Sequence, residues 1–175
     1  MAARTALLLK GVNVGGKNKL PMAELSELMR ATLGWPDTTT YLQSGNVVVR
    51  GQTGDLAATL AEAIVAKFGL DIEVFAFSGK EIRDVVAGNP FPDKADEPKL
   101  LHVAFLHSAP AKDLFANSGL VHDGDEIVPG KRHLYLSYAT NSRDSPLAKV
   151  LRGAKISFTA RNWTTVVKLA ELTGG

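Results

Sequence analysis

Cysteine is absent from the 175-residue chain. That one absence excludes a disulfide scaffold, a thiolate zinc site and a cysteine nucleophile. Long apolar runs are missing too. Near the start, only Ala6-Leu7-Leu8-Leu9 runs unbroken before Lys10, short of the roughly 7–15 apolar residues of a secretory signal. No window approaches the ~18 apolar residues of a membrane span. The expectation is therefore a cytoplasmic protein with no membrane partner. The four histidines, His102, His107, His122 and His133, show neither H-E-x-x-H nor H-x-H spacing, so no metal site is expected. There is no G-x-S-x-G element, and Ser44-Gly45-Asn46 lacks the Ser-x-x-Lys and Lys-Thr-Gly companions of penicillin-binding enzymes. No cofactor is implied, and no residue is marked as catalytic.

What is present is an ordinary globular composition, 45% hydrophobic and 22% charged. A chain of this length buries on the order of 70% of its unfolded surface and folds without covalent staples. The net charge of +2 is unevenly spread. Residues 1–20 hold Arg4, Lys10, Lys17 and Lys19 and no acid. Residues 143–175 hold six bases against Asp144 and Glu171, and the middle of the chain is acidic. Basic termini either form one cationic face or remain scattered surface charge; charge alone speaks to partners and not to fold.

Periodicity gives the elements. Residues 4–10 are a short apolar strand, followed by the Gly-rich loop 11–19 and a helix opened by Pro21 with Met22, Leu25, Leu28, Met29 and Leu33 on one face. Residues 38–42 and 47–49 form a hairpin around Ser44-Gly45-Asn46. Asp55 caps a helix closed by Gly69, and residues 72–77 are a strand. The order βαββαβ is ferredoxin-like. Ser78 and Glu81 form a capping box for a short helix that ends near Gly88-Asn89-Pro90. Beyond the polar stretch 93–98 comes a strand at 100–106, a short helix at 110–117 and strands at 126–128 and 133–136. A helix from Ser145-Pro146, a strand at 156–159 and a last helix from about 162 complete the chain. The fold class is α+β in two subdomains, a ferredoxin-like 1–92 and a similar, smaller 93–175, packed as one unit.

Two polar segments carry the chemistry. Gly11 to Lys17 fits G-x-x-x-x-G-K after a strand. A phosphate-binding P-loop needs Ser or Thr next and runs directly into its helix. Here Asn18 follows, and Pro21 stands where that helix interior would be. The loop reads instead as a Gly-rich turn whose amides, with Lys17 and Lys19, can hold an anion, or as a plain connection with two solvated lysines. At the other end, Arg161 in Thr159-Ala160-Arg161-Asn162-Trp163 lies beside a helix N-terminus, where the dipole favours acids. An anion, or an acidic side chain, between them would explain it; a surface Arg beside a core Trp163 is the plainer alternative.

These segments carry a resemblance. Residues 9–22, 40–47, Asn89-Pro90-Phe91 and 159–166, in that order along the whole chain, are similar to the domain-of-unknown-function 1697 family. Lys10 stands where the family commonly has Arg, which keeps a cation without the bidentate geometry. The resemblance implies a bacterial-type cytosolic α+β protein with ferredoxin-like subdomains and no established activity.

Polar residues at element ends are where sites form on a rigid scaffold. The expectation is one anion-binding cleft formed by Lys10, Asn13, Lys17, Lys19, Ser44, Asn46, Arg161 and Asn162. The ligand would be an anionic small molecule or a nucleotide. Nucleic acid is less favoured, because residues 4–10 and 47–50 carry none of the aromatics with which RNA-recognition strands stack bases. The alternatives are a small enzyme on an anionic metabolite, although no nucleophile is paired with a base, and a partner-binding protein without a small ligand.

Overall fold

The structure, a computed structural model, describes residues 2–112, 121–122 and 124–174. By their internal contacts these fall into two units, residues 1–83 with 169–175, and residues 84–168.

In the first unit, strands β1 (Arg4–Leu9), β2 (Thr38–Tyr41), β3 (Asn46–Arg50) and β4 (Val74–Ser78) form an antiparallel sheet of order β2-β3-β1-β4. Helix α1 (Met22–Glu27), prolonged by a π-helical turn at Leu28–Thr32, links β1 to β2, and helix α2 (Leu56–Phe68) links β3 to β4. This is the βαββαβ arrangement of a ferredoxin-like unit. The punctuation is local. Asp55 Oδ1 accepts from the Ala58 amide at 3.0 Å, and Gly69 ends α2 in the left-handed region at φ 67°. Leu7, Leu9, Val47, Val49 and Val74 from the sheet form one apolar cluster with Met22, Leu25, Met29, Leu60 and Ile64 from the helical segments. Leu7, Leu9, Leu25 and Met29 in it are fully buried.

Helix α3 (Gly79–Ala87) opens on the expected capping box: Ser78 Oγ accepts from the Glu81 amide at 3.2 Å, and the Glu81 carboxylate accepts from the Ser78 amide at 2.8 Å.

In the second unit, strands β5 (Leu101–Leu106), β6 (Val121–His122), β7 (Asp125–Pro129), β8 (His133–Ser137) and β9 (Phe158–Asn162) form a sheet of order β6-β7-β8-β5-β9, again antiparallel. Helix α4 (Leu147–Gly153) precedes β9, and α5 (Trp163–Thr173) follows it. The run β7-β8-β5-β9 repeats the order β2-β3-β1-β4, so the two units are topologically similar although their residues do not repeat. Its core gathers Ala104, Leu106, Ile127, Leu134, Leu136, Leu147 and Leu151. The helix expected at 110–117 falls largely outside the described residues. Among the described residues no helix is long and apolar enough to cross a membrane.

One boundary differs from expectation. The strand expected at 156–159 instead spans Phe158–Asn162, so Ala160 and Arg161 belong to β9 and not to the opening of the last helix. Their burial alternates with the strand period, Thr159 and Arg161 inward and Ala160 and Asn162 outward.

A loop and a turn clipped together by Asn13

The Gly-rich loop begins where β1 stops. The Leu9 amide donates to the Gly45 carbonyl at 2.8 Å, so the chain enters the loop already bonded to the β2–β3 turn. Gly11, Asn13, Gly15, Gly16 and Asn18 all have φ between 49° and 74°. Turns that mix right- and left-handed backbone can gather amides around an anion. The loop closes as a small hairpin: the Asn13 amide donates to the Asn18 carbonyl at 3.1 Å and the Lys17 amide to the Val14 carbonyl at 3.0 Å. It does not run into α1 as a P-loop would.

Asn13 is the clip. Its Oδ1 accepts from the Leu20 amide at 2.8 Å, and its Nδ2 donates to the Leu20 carbonyl at 2.9 Å and the Gln43 carbonyl at 2.7 Å. Asn13 thus joins both ends of the loop to the turn, and its side-chain amide is spent on structure. Asn46 has the same character. It is fully buried, and its Nδ2 donates to the Tyr41 carbonyl at 2.8 Å and to Ser44 Oγ at 3.1 Å.

Of the residues expected to form the cleft, Lys10, Lys17, Lys19 and Ser44 are exposed here, as are Asn18 and Gln43 beside them. The Lys10 ammonium lies 3.6 Å from the Glu73 carboxylate. Two large apolar side chains accompany them: Val14, 62% exposed, at the loop tip, and Leu42, 51% exposed, in the turn. Leu42 also has φ 60°. A leucine there costs about 1–2 kcal/mol against its usual backbone, and such strain gathers at working surfaces.

Arg161 and Asn162 belong to the second unit. Arg161 is only 6% exposed, and its Nη1 donates to Thr159 Oγ1 at 2.7 Å and to the Ala160 carbonyl at 3.0 Å. Burial lowers its guanidinium to about 10, still charged at neutral pH. Asn162 is exposed and caps α5, its Oδ1 accepting from the Thr165 amide at 3.0 Å. It also lines a cavity of about 570 Å³ with Lys99, His102, Arg143 and Asp144. His102 is its cross-strand neighbour, the imidazole edge-on to Tyr138 with a buried, unbonded Nδ1. Burial lowers the His102 pKa below its ordinary value. The sequence marked Asn162 and missed Lys99 and Arg143, which only the strand register and the 139–146 loop bring beside it. Among the described residues no group of three or more His, Asp and Glu side chains is arranged to hold a metal ion.

No curated protein matches the chain. Among solved structures it is similar to the conserved bacterial protein SP0830 from Streptococcus pneumoniae, at 21% identity and a TM-score of 0.73 over 99% of this chain and 100% of that one. At that identity the likeness concerns the fold. The family described as "Protein of unknown function (DUF1697)" matches residues 2–135, and the chain belongs to it.

Proposed function

We propose that the protein binds a phosphate-bearing small anion, a nucleotide in particular, on the clipped loop and turn of its first unit. One observation carries the reading. A loop rich in left-handed backbone, fixed by Asn13, presents Lys17 and Lys19 beside exposed Val14 and Leu42. The lysines and loop amides suit phosphate oxygens, and the two apolar side chains suit the flat, less polar part of a nucleotide. Asn13 and Asn46 position the surface and do not contact ligand. Arg161 and Asn162 remain candidates on the second unit, where Asn162 lines its own cationic cavity.

The test is a thermal-shift panel of nucleotides, phosphosugars and short oligonucleotides, read on the wild type and on Lys17→Gln/Lys19→Gln. A binder at 100 times its Kd stabilises by about 2.7 kcal/mol. The double variant is expected to weaken the best nucleotide about 100-fold, about 10-fold for each ammonium removed. A panel without any shift, or a shift identical in the double variant, contradicts the reading. If an enzyme uses this surface, the same variant loses turnover as well as affinity.

A further inference from the structure

The second unit holds a cavity of about 570 Å³ beside Asn162, built by three segments distant in sequence. Strands β5 and β9 supply His102 and Asn162, which stand opposite each other in the pairing of the two strands. Pro98 and Lys99 come from the chain just before β5, and residues 141–144 from the loop after β8. Among the described residues that line it, Pro98 alone is apolar. Small-molecule sites are usually lined largely by apolar side chains. A wall this polar suits a ligand that is polar throughout.

The loop that carries Arg143 is fixed by a buried carboxylate. Asp125, on β7, is buried; its Oδ1 accepts from the Ala139 amide at 2.7 Å and its Oδ2 accepts from Ser145 Oγ. One side chain thus ties both ends of the loop. Within it, Asn141 Nδ2 donates to Asp144 Oδ2 at 3.0 Å, and the Asp144 amide donates to Asn141 Oδ1 at 2.9 Å. At the loop's entry the Tyr138 amide donates to the Leu100 carbonyl at 2.8 Å, which joins the Lys99 segment to the same assembly. Arg143 and Lys99 are therefore presented on backbone whose shape is already set, which lowers the cost of ordering a site around a ligand.

Lys99 and Arg143 are exposed, and among the described residues neither side chain makes a hydrogen bond or an ion pair. Asp144 is the carboxylate on this wall, and one of its oxygens already accepts from Asn141. Asp96 and Glu97 line a neighbouring hollow and not this one. Asn162 Oδ1 is engaged by the Thr165 amide, which leaves Nδ2 to donate. The cavity thus sets two cations beside three groups that pair with hydroxyls, namely the Ser142 hydroxyl, the Asp144 carboxylate and the Asn162 amide.

We infer that this cavity binds a phosphorylated sugar or polyol, its phosphate on Lys99 and Arg143 and its hydroxyls on Ser142, Asp144 and Asn162. Arg engages two phosphate oxygens at once, and Lys adds a compact charge. The Asp144 carboxylate accepts from a ligand hydroxyl and repels a second phosphate, so it selects a monoester over a polyphosphate.

The test is titration calorimetry with the phosphate monoesters of glucose, ribose and glycerol, and with inorganic phosphate. It is run on the wild type, Lys99→Gln/Arg143→Gln and Lys17→Gln/Lys19→Gln. Circular dichroism checks that each variant is folded. At least one monoester is expected to bind the wild type and Lys17→Gln/Lys19→Gln alike, about 10-fold more tightly than inorganic phosphate. Its affinity is expected to fall about 100-fold in Lys99→Gln/Arg143→Gln, about 10-fold for each cation removed. A wild type that binds none of the three overturns the inference, as does equal affinity in Lys99→Gln/Arg143→Gln. Inorganic phosphate bound as tightly as every monoester overturns it too, because the hydroxyls then contribute nothing. Loss of monoester binding in Lys17→Gln/Lys19→Gln alone assigns the ligand to the Gly-rich loop and likewise overturns it. The loop proposal is judged on nucleotides and stands or falls apart from these outcomes.

Discussion

Replacing Gly45 by alanine is expected to destabilise the protein by about 3 kcal/mol and to abolish the binding proposed for the loop. Gly45 has φ 85°, and a Cβ built on it would lie 2.7 Å from Val12 Cγ2 and 2.8 Å from Leu9 Cβ. Both neighbours are core residues, Leu9 fully buried and Val12 1% exposed, so neither has room to retreat. The left-handed backbone costs an alanine about 1–2 kcal/mol, and forcing a methyl into a packed core costs about 1–3 kcal/mol more. The turn would relieve this by moving away from β1, which breaks the bond from the Leu9 amide to the Gly45 carbonyl. Urea denaturation measures the effect. A loss below about 1 kcal/mol would show that the turn and the loop are not held this tightly.

Asn13→Ala is the second large effect, about 2–4 kcal/mol of stability. It removes three hydrogen bonds and strands the Leu20 amide, on a fully buried residue, without its acceptor. Leaving one buried group unsatisfied costs about 1–3 kcal/mol. It also places alanine at φ 55°, where asparagine is one of the few tolerated side chains. Asn13→Gly separates the two causes. Glycine loses the same three bonds without the backbone strain, so it should retain about 1 kcal/mol more than alanine. Asn13→Asp keeps an acceptor for the Leu20 amide but turns a carboxylate oxygen toward the Leu20 and Gln43 carbonyls, and should be nearly as damaging as alanine. Equal stability of the wild type and all three variants in urea denaturation would remove Asn13 from its role as the clip.

Much of the fold was legible because its signals are local. Asp55 and Gly69 bracket α2, and Ser78 with Glu81 starts α3, as their spacing requires. The βαββαβ order followed from the apolar periods between them. The end of β9 was not legible. Thr159-Ala160-Arg161-Asn162 is polar, and an Arg is rarely buried, so an inward Arg161 in a short strand reads as a helix flank. What makes it a strand is pairing with Val103 and its neighbours on β5, between distant parts of the chain. The same limit applies to function. Lys17 and Lys19 stand out beside glycines in sequence, whereas the facing of His102 and Asn162 exists only in the register of β5 on β9. The role of Asn13 likewise depends on Gln43, far along the chain on the β2–β3 turn.

The central claim is that the clipped loop holds a phosphate-bearing ligand. The most direct measurement is a titration with a nucleoside triphosphate followed through individual backbone amide resonances by NMR. The account predicts saturable shifts at residues 11–19 and 42–45, led by Gly15, Gly16 and Lys17, and their loss in Lys17→Gln/Lys19→Gln. A titration that saturates while those amides stay unmoved contradicts it.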